Sequence, residues 1–131
     1  MTLSATLIAG TAYFMLGGLW FTPLFGKYWD RAVGFCRPQR WRPPAIYYLG
    51  PWLGCLIAAF ATAILFDIIR PASLTDALKI GFVIGAGYGA ALTAVNAISP
   101  NMPKPGLYAL VVGGYHWLGL TLCAAILYEL A

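Results

Sequence analysis

The only histidine of the chain, His116, lies inside the uncharged run from Pro105 to Tyr128. If that run is a helix, its ring sits about 15 Å from the nearer end at 1.5 Å per residue. A titratable ring so deep in an apolar segment is a functional candidate by default, as a proton carrier or as an axial ligand to haem or chlorophyll. The plainer reading, and the favoured one, is a neutral imidazole tying helices together through a hydrogen bond to Tyr13 or Tyr88, which fall at similar depth. Asn96, a turn before the end of its own apolar run, is the other residue suited to bonding a neighbouring helix or lining a polar interior. Tyr13, Tyr88, Asn96 and His116 together form the candidate polar interior.

Other chemistry is harder to find. Exchange of a cation for a proton calls for a buried carboxylate, yet Asp30, Asp67, Asp76 and Glu129 all fall in loops or at the ends of apolar runs. Trp20, Trp29, Trp41 and Trp52 lie at predicted boundaries, as interface anchors do. Trp117, beside His116, is the one tryptophan deep enough to stack on a pigment or quinone. Cys36, Cys55 and Cys123 show neither a disulfide framework nor a zinc spacing. Without a phosphate-binding loop, a metal-ligand cluster or a nucleophile beside a base, the sequence points to a protein that is not an enzyme, with no catalytic residue and no metal.

The elements that must position these residues follow from composition. Of 131 residues, 61% are hydrophobic and 9% charged, against roughly 25% charged in soluble domains. The charges leave four uncharged runs, Met1–Gly26, Pro43–Phe66, Ile80–Pro103 and Pro105–Tyr128, each long enough to cross ~30 Å of hydrocarbon. The predicted fold is an all-α integral membrane protein. It is one domain with spans at about 3–25, 45–66, 78–99 and 106–128 in an antiparallel four-helix bundle. The first run lacks the basic start and cleavage site of a signal peptide and reads as a retained span. Phe25, Trp29 and Val33 then recur at a four-residue step with Lys27 and Arg31 off the stripe, which predicts a short interfacial helix. Consecutive prolines end it at Pro43 and Pro44. Pro51, beside Gly50, predicts a kink in the second span, and Ser73 suits a cap leading into the third. The proline-rich stretch 100–105 predicts a tight hairpin.

Gly81, Gly85 and Gly89 stand four residues apart, and Thr93 and Ala97 continue the step. In water such glycines would weaken a helix by about 1 kcal/mol each; in lipid they let backbones approach where no hydrophobic drive exists. Gly113 shares a side of the fourth span with Ala109, His116 and Cys123, while Leu107, Val111, Leu118, Leu122 and Ala125 make the more lipophilic side. So much small-residue surface suggests a protein that assembles with itself or with a larger membrane complex.

Six basic residues, Lys27, Arg31, Arg37, Arg40, Arg42 and Lys104, fall in the first and third loops, whereas only Arg70 and Lys79 fall in the second. The positive-inside bias places loops 26–44 and 100–105 in the cytoplasm and both termini outside. The net charge of +4 then suits anionic headgroups, with Arg37, Arg40 and Arg42 as their ligands, rather than nucleic acid.

The run Trp20-Phe-Thr-Pro-Leu-Phe-Gly-Lys-Tyr-Trp29 resembles the signature of a bacterial membrane family called domain of unknown function 1761: Trp, an aromatic, any residue, Pro, Leu, Phe, Gly, Lys, any residue, Trp. The glycine-rich third span and the stretch Gly114-Tyr-His-Trp-Leu-Gly-Leu-Thr-Leu122 are similar to later parts of that family, so the resemblance covers most of the chain. The loop from Cys36 to Pro44 departs from it in its arginine and proline content. The resemblance implies four spans in a bacterial inner membrane and brings no activity, cofactor or catalytic residue with it. The expectation is a structural or accessory subunit, with a transporter or cofactor-binding unit centred on His116 as the alternative.

Overall fold

The computed structural model describes residues 1–131, and it is all helical. Four helices are long and apolar enough to cross a membrane: α1 (Leu3–Leu24), α3 (Ile46–Ile69), α4 (Leu74–Ala97) and α5 (Pro105–Glu129). The fifth, α2 (Gly26–Val33), is short and follows α1 directly.

Local chemistry sets most of the boundaries. Thr2 caps α1 by accepting from the Ala5 amide at 3.2 Å. The last turn of α1, Trp20–Leu24, widens into a π-turn that holds Pro23; a wider turn accommodates a residue with no amide hydrogen to give. Gly34, at φ 70°, ends α2 in the left-handed conformation that glycine adopts without strain. Ser73 caps α4 directly, accepting from the Asp76 amide at 3.1 Å while its hydroxyl donates to the Asp76 carboxylate at 3.0 Å. A second π-turn, Gly85–Ala90, lies in the middle of α4. There the Thr93 hydroxyl donates to the Gly89 carbonyl at 2.6 Å, a bond that helps satisfy the backbone where the regular ladder is interrupted.

α5 is the hub. It packs against α1, α3 and α4 and against short α2, while α1 lies between α3 and α5. Contacts such as Gly10 with Ala59, Gly17 with Tyr115 and Gly81 with Ala124 run in opposite chain directions, so the four long helices alternate up and down. α3 and α4, although consecutive, do not pack along each other, which leaves the expected bundle open on one side. The shared core is made of small side chains, with Ala5, Ala9, Ala59, Ala63, Ala77, Cys123 and Ala124 around Phe66 and Leu127. Large apolar side chains face outward instead, among them Ile57, Ile64, Ile68, Val95 and Leu110.

Several expectations change. α3 continues through Asp67 to Ile69. α4 begins at Leu74 rather than 78 and ends at Ala97. Val111, expected on the lipophilic side of α5, is buried, because the hub helix is covered over more of its circumference than a peripheral helix would be.

Candidate functional site

Midway along α1 and α5 the interface becomes polar. Tyr13, on the buried face of α1, places its hydroxyl 2.5 Å from Nδ1 of His116 on α5. Tyr115, the preceding residue on α5, reaches back: its hydroxyl donates to the Tyr13 backbone carbonyl at 2.9 Å. The Cys55 thiol of α3 lies 3.5 Å from the Tyr115 oxygen and is left to donate to it, since the phenol hydrogen is already engaged. One side-chain cluster thus joins α1, α3 and α5.

Two glycines make room for it. A Cβ on Gly119 would overlap the ring of Tyr13, and one on Gly17 would stand 2.9 Å from the Tyr115 hydroxyl. Each helix therefore offers a glycine to the other helix's tyrosine. Trp20 extends the seam, its indole nitrogen donating to the Val111 carbonyl at 2.8 Å and its ring lying 4.5 Å from Phe25. Phe21 meets Tyr115 edge-on at 5.1 Å.

The hydrogen bonds fix the tautomer of the histidine. Tyr13 is buried, and Nδ1 is the sole partner of its hydroxyl. A buried O–H without an acceptor is costly, so the phenol donates, Nδ1 accepts, and in the neutral ring the hydrogen resides on Nε2. Nε2 itself bonds nothing within the chain. Because no fully buried side-chain nitrogen lacks a partner, Nε2 reaches the molecular surface.

This arrangement bears on the cofactor alternative. Haem or chlorophyll ligation requires the Nε2 lone pair; the hydrogen would then sit on Nδ1 and donate to the Tyr13 oxygen, reversing the bond and leaving the buried phenol hydrogen without an acceptor. That cost weighs against a macrocycle ligand at His116. Nor is there a continuous relay: the chain of bonds from Cys55 through Tyr115 ends on the backbone carbonyl of Tyr13. What the cluster does chemically is to hold helices together and to present one N–H donor outward.

The structure brings Tyr13 and His116 together but not the other two residues of the expected polar interior. Tyr88 is 67% exposed on the outside of α4, and Asn96 is also exposed; neither side chain bonds another group. Tyr115 and Cys55 belong to the cluster instead. Their periodicity was readable, but not that glycines on the opposite helices would admit their polar ends.

The other side of α5 is built differently. Cβ atoms on Gly81, Gly85 and Gly89 would stand 2.6 Å from Ala124 Cβ, 2.7 Å from the Trp117 carbonyl and 3.1 Å from His116 Cβ. All three glycines face α5, and Gly113 faces Ala90 of α4 at 3.5 Å. Trp117 packs edge-on against Phe82 at 4.9 Å on the outer edge of this seam.

At the basic end, Arg37 pairs with Asp30 at 2.8 Å and stacks 5.5 Å over Trp41. It clasps the loop that follows α2, and of the three arginines expected at headgroups only Arg40 and Arg42 keep unpaired guanidinium groups. The Lys104 amide donates to the Ala32 carbonyl at 3.1 Å, so α2 and the 98–104 hairpin form one cap.

A family model described as "Protein of unknown function (DUF1761)" matches residues 4–128. None of the curated proteins and none of the solved structures matches the chain.

Proposed function

The chain belongs to the DUF1761 family, and from its geometry we propose that it is a four-span protein of the bacterial inner membrane acting as a structural or accessory subunit. The observation that carries this reading is the Tyr13–His116–Tyr115–Cys55 cluster, whose bonds join three helices rather than enclosing a substrate. Large apolar residues outside and alanine, glycine and bonded polar groups inside suit a hydrocarbon solvent, in which close backbone approach and interhelical hydrogen bonds replace the hydrophobic effect. The end carrying Lys27, Arg31, Arg37, Arg40, Arg42 and Lys104 faces the cytoplasm, with Arg40 and Arg42 free for anionic headgroups. Lateral association, with itself or with a larger complex, uses surfaces other than Gly81, Gly85 and Gly89, which lie against α5.

Cys36 provides the test of insertion and orientation. It is the one exposed cysteine, at the basic end, whereas Cys55 and Cys123 are buried. A membrane-impermeant maleimide should leave intact cells unlabelled and react at Cys36 once the membrane is permeabilised. Labelling of intact cells would reverse the orientation, and a purified chain monodisperse in buffer without amphiphile would remove the membrane reading.

A further inference from the structure

Two polar groups at nearly the same depth lack partners within the chain, and the residue next to one of them, Gly89, lies against the residue that carries the other. The first is Nε2 of His116, held as a donor by the Tyr13 bond on the other ring nitrogen. The second is the hydroxyl of Tyr88, which is 67% exposed and bonds nothing within the chain. Measured from the hairpin that joins α4 to α5, they lie about 14 Å (Tyr88) and about 16 Å (His116) along their helices at 1.5 Å per residue. Ile84, one turn before Tyr88, packs against the cluster that contains Tyr13, Tyr115 and Leu120. Tyr88 follows it on the π-turn of α4. Gly89, the next residue, is in contact distance of His116 itself.

From this pairing we propose that a second copy of the chain covers this face, the Tyr88 hydroxyl of each copy accepting the Nε2–H of His116 in the other. The arrangement is isologous: one chain supplies both halves of the contact, as a two-fold axis requires. Tyr88 is long and projects outward, whereas His116 is half-buried beside Gly89, so an aromatic side chain enters a recess and anchors the interface. In hydrocarbon an uncovered N–H and an uncovered phenol have no water to turn to, and joining them satisfies the imidazole donor of each copy. The inference rests on the membrane and assembly reading above and names the contact that would carry it.

The experiment compares wild type with Tyr88→Phe, a change on the exposed surface that leaves the packing of the bundle intact. Dimerisation is measured by energy transfer between labelled copies in phosphatidylglycerol-containing vesicles. Dimer affinity should fall about tenfold, a few-fold for each of two equivalent bonds of the strength found between membrane helices, and Leu110→Ala on the hub helix should leave it unchanged. Because the chain has a single histidine, the ¹⁵N resonance of its Nε2 should also shift on dimerisation in wild type and stay still in Tyr88→Phe. A dimer indifferent to Tyr88→Phe would overturn this contact while leaving the assembly reading standing. A wild-type chain that stays monomeric across accessible lipid dilutions would overturn both. A lipid-soluble molecule that co-purifies with wild type and is lost in Tyr88→Phe would replace the second copy as the occupant.

Discussion

The two seams on either side of α5 solve the same problem by different means. Toward α4 the contact is steric: Gly81, Gly85 and Gly89 bring one backbone against the other, with Trp117 and Ala124 filling the space. Toward α1 it is steric and polar together: Tyr13 and Tyr115 cross between the helices, each seated over the opposite helix's glycine and each hydrogen-bonded at its tip. The first seam depends on absent volume alone. The second also depends on four polar atoms pairing across the helices, and so it fixes how far one helix can slide along the other.

That contrast can be broken most severely at Gly119. Gly119→Val drives a side chain into the Tyr13 ring, which glycine alone admits, and should cost about 3 kcal/mol or more, beyond the usual range for overpacking. The measurement is the loss of folded protein in mixed-micelle unfolding. Gly85→Ala tests the α4 seam: its Cβ would meet the Trp117 backbone at 2.7 Å, so the helices must separate, at about 2 kcal/mol. The polar part of the α1 seam is isolated by Tyr13→Phe, which keeps the ring but leaves Nδ1 of His116 unbonded. It should cost about 1–1.5 kcal/mol and free His116 to exchange tautomers, seen as averaging of its two ¹⁵N shifts. Gly87→Ala is the counterpart. Nothing lies within 4 Å of its would-be Cβ, so alanine should be tolerated or should stabilise α4 by up to about 1 kcal/mol. If Gly85→Ala and Gly87→Ala behaved alike, the steric account of the α4 seam would fail.

Much of this was legible in the sequence, for reasons that also explain what was not. The four apolar runs announce themselves because eleven of the twelve charges fall between them and the twelfth, Glu129, follows the last. Depth alone offers His116 two partners, Tyr13 and Tyr88, and the structure joins it to Tyr13. Depth does not tell which way a side chain faces: Tyr88 is outside, within the π-turn of α4, where the wider turn departs from an ideal 3.6-residue repeat. Trp20 reads as an interface anchor by position, yet its indole bonds a carbonyl of α5, a partner that only the crossing of the two helices supplies. Arg37 reads as one of three equivalent cations. Its pairing with Asp30 depends on how the loop after α2 folds back, which no periodicity encodes.

The position of the hub in the chain has a consequence for how the protein is made. α5 follows every helix it organises, so neither central seam can close until the last helix of the bundle has been made. Until then Gly81 and Gly85 have no opposing backbone to meet, and the Tyr13 hydroxyl has no imidazole to bond. Folding is thus weighted toward its final step, and the chain still lacking α5 is the species a quality-control protease would meet.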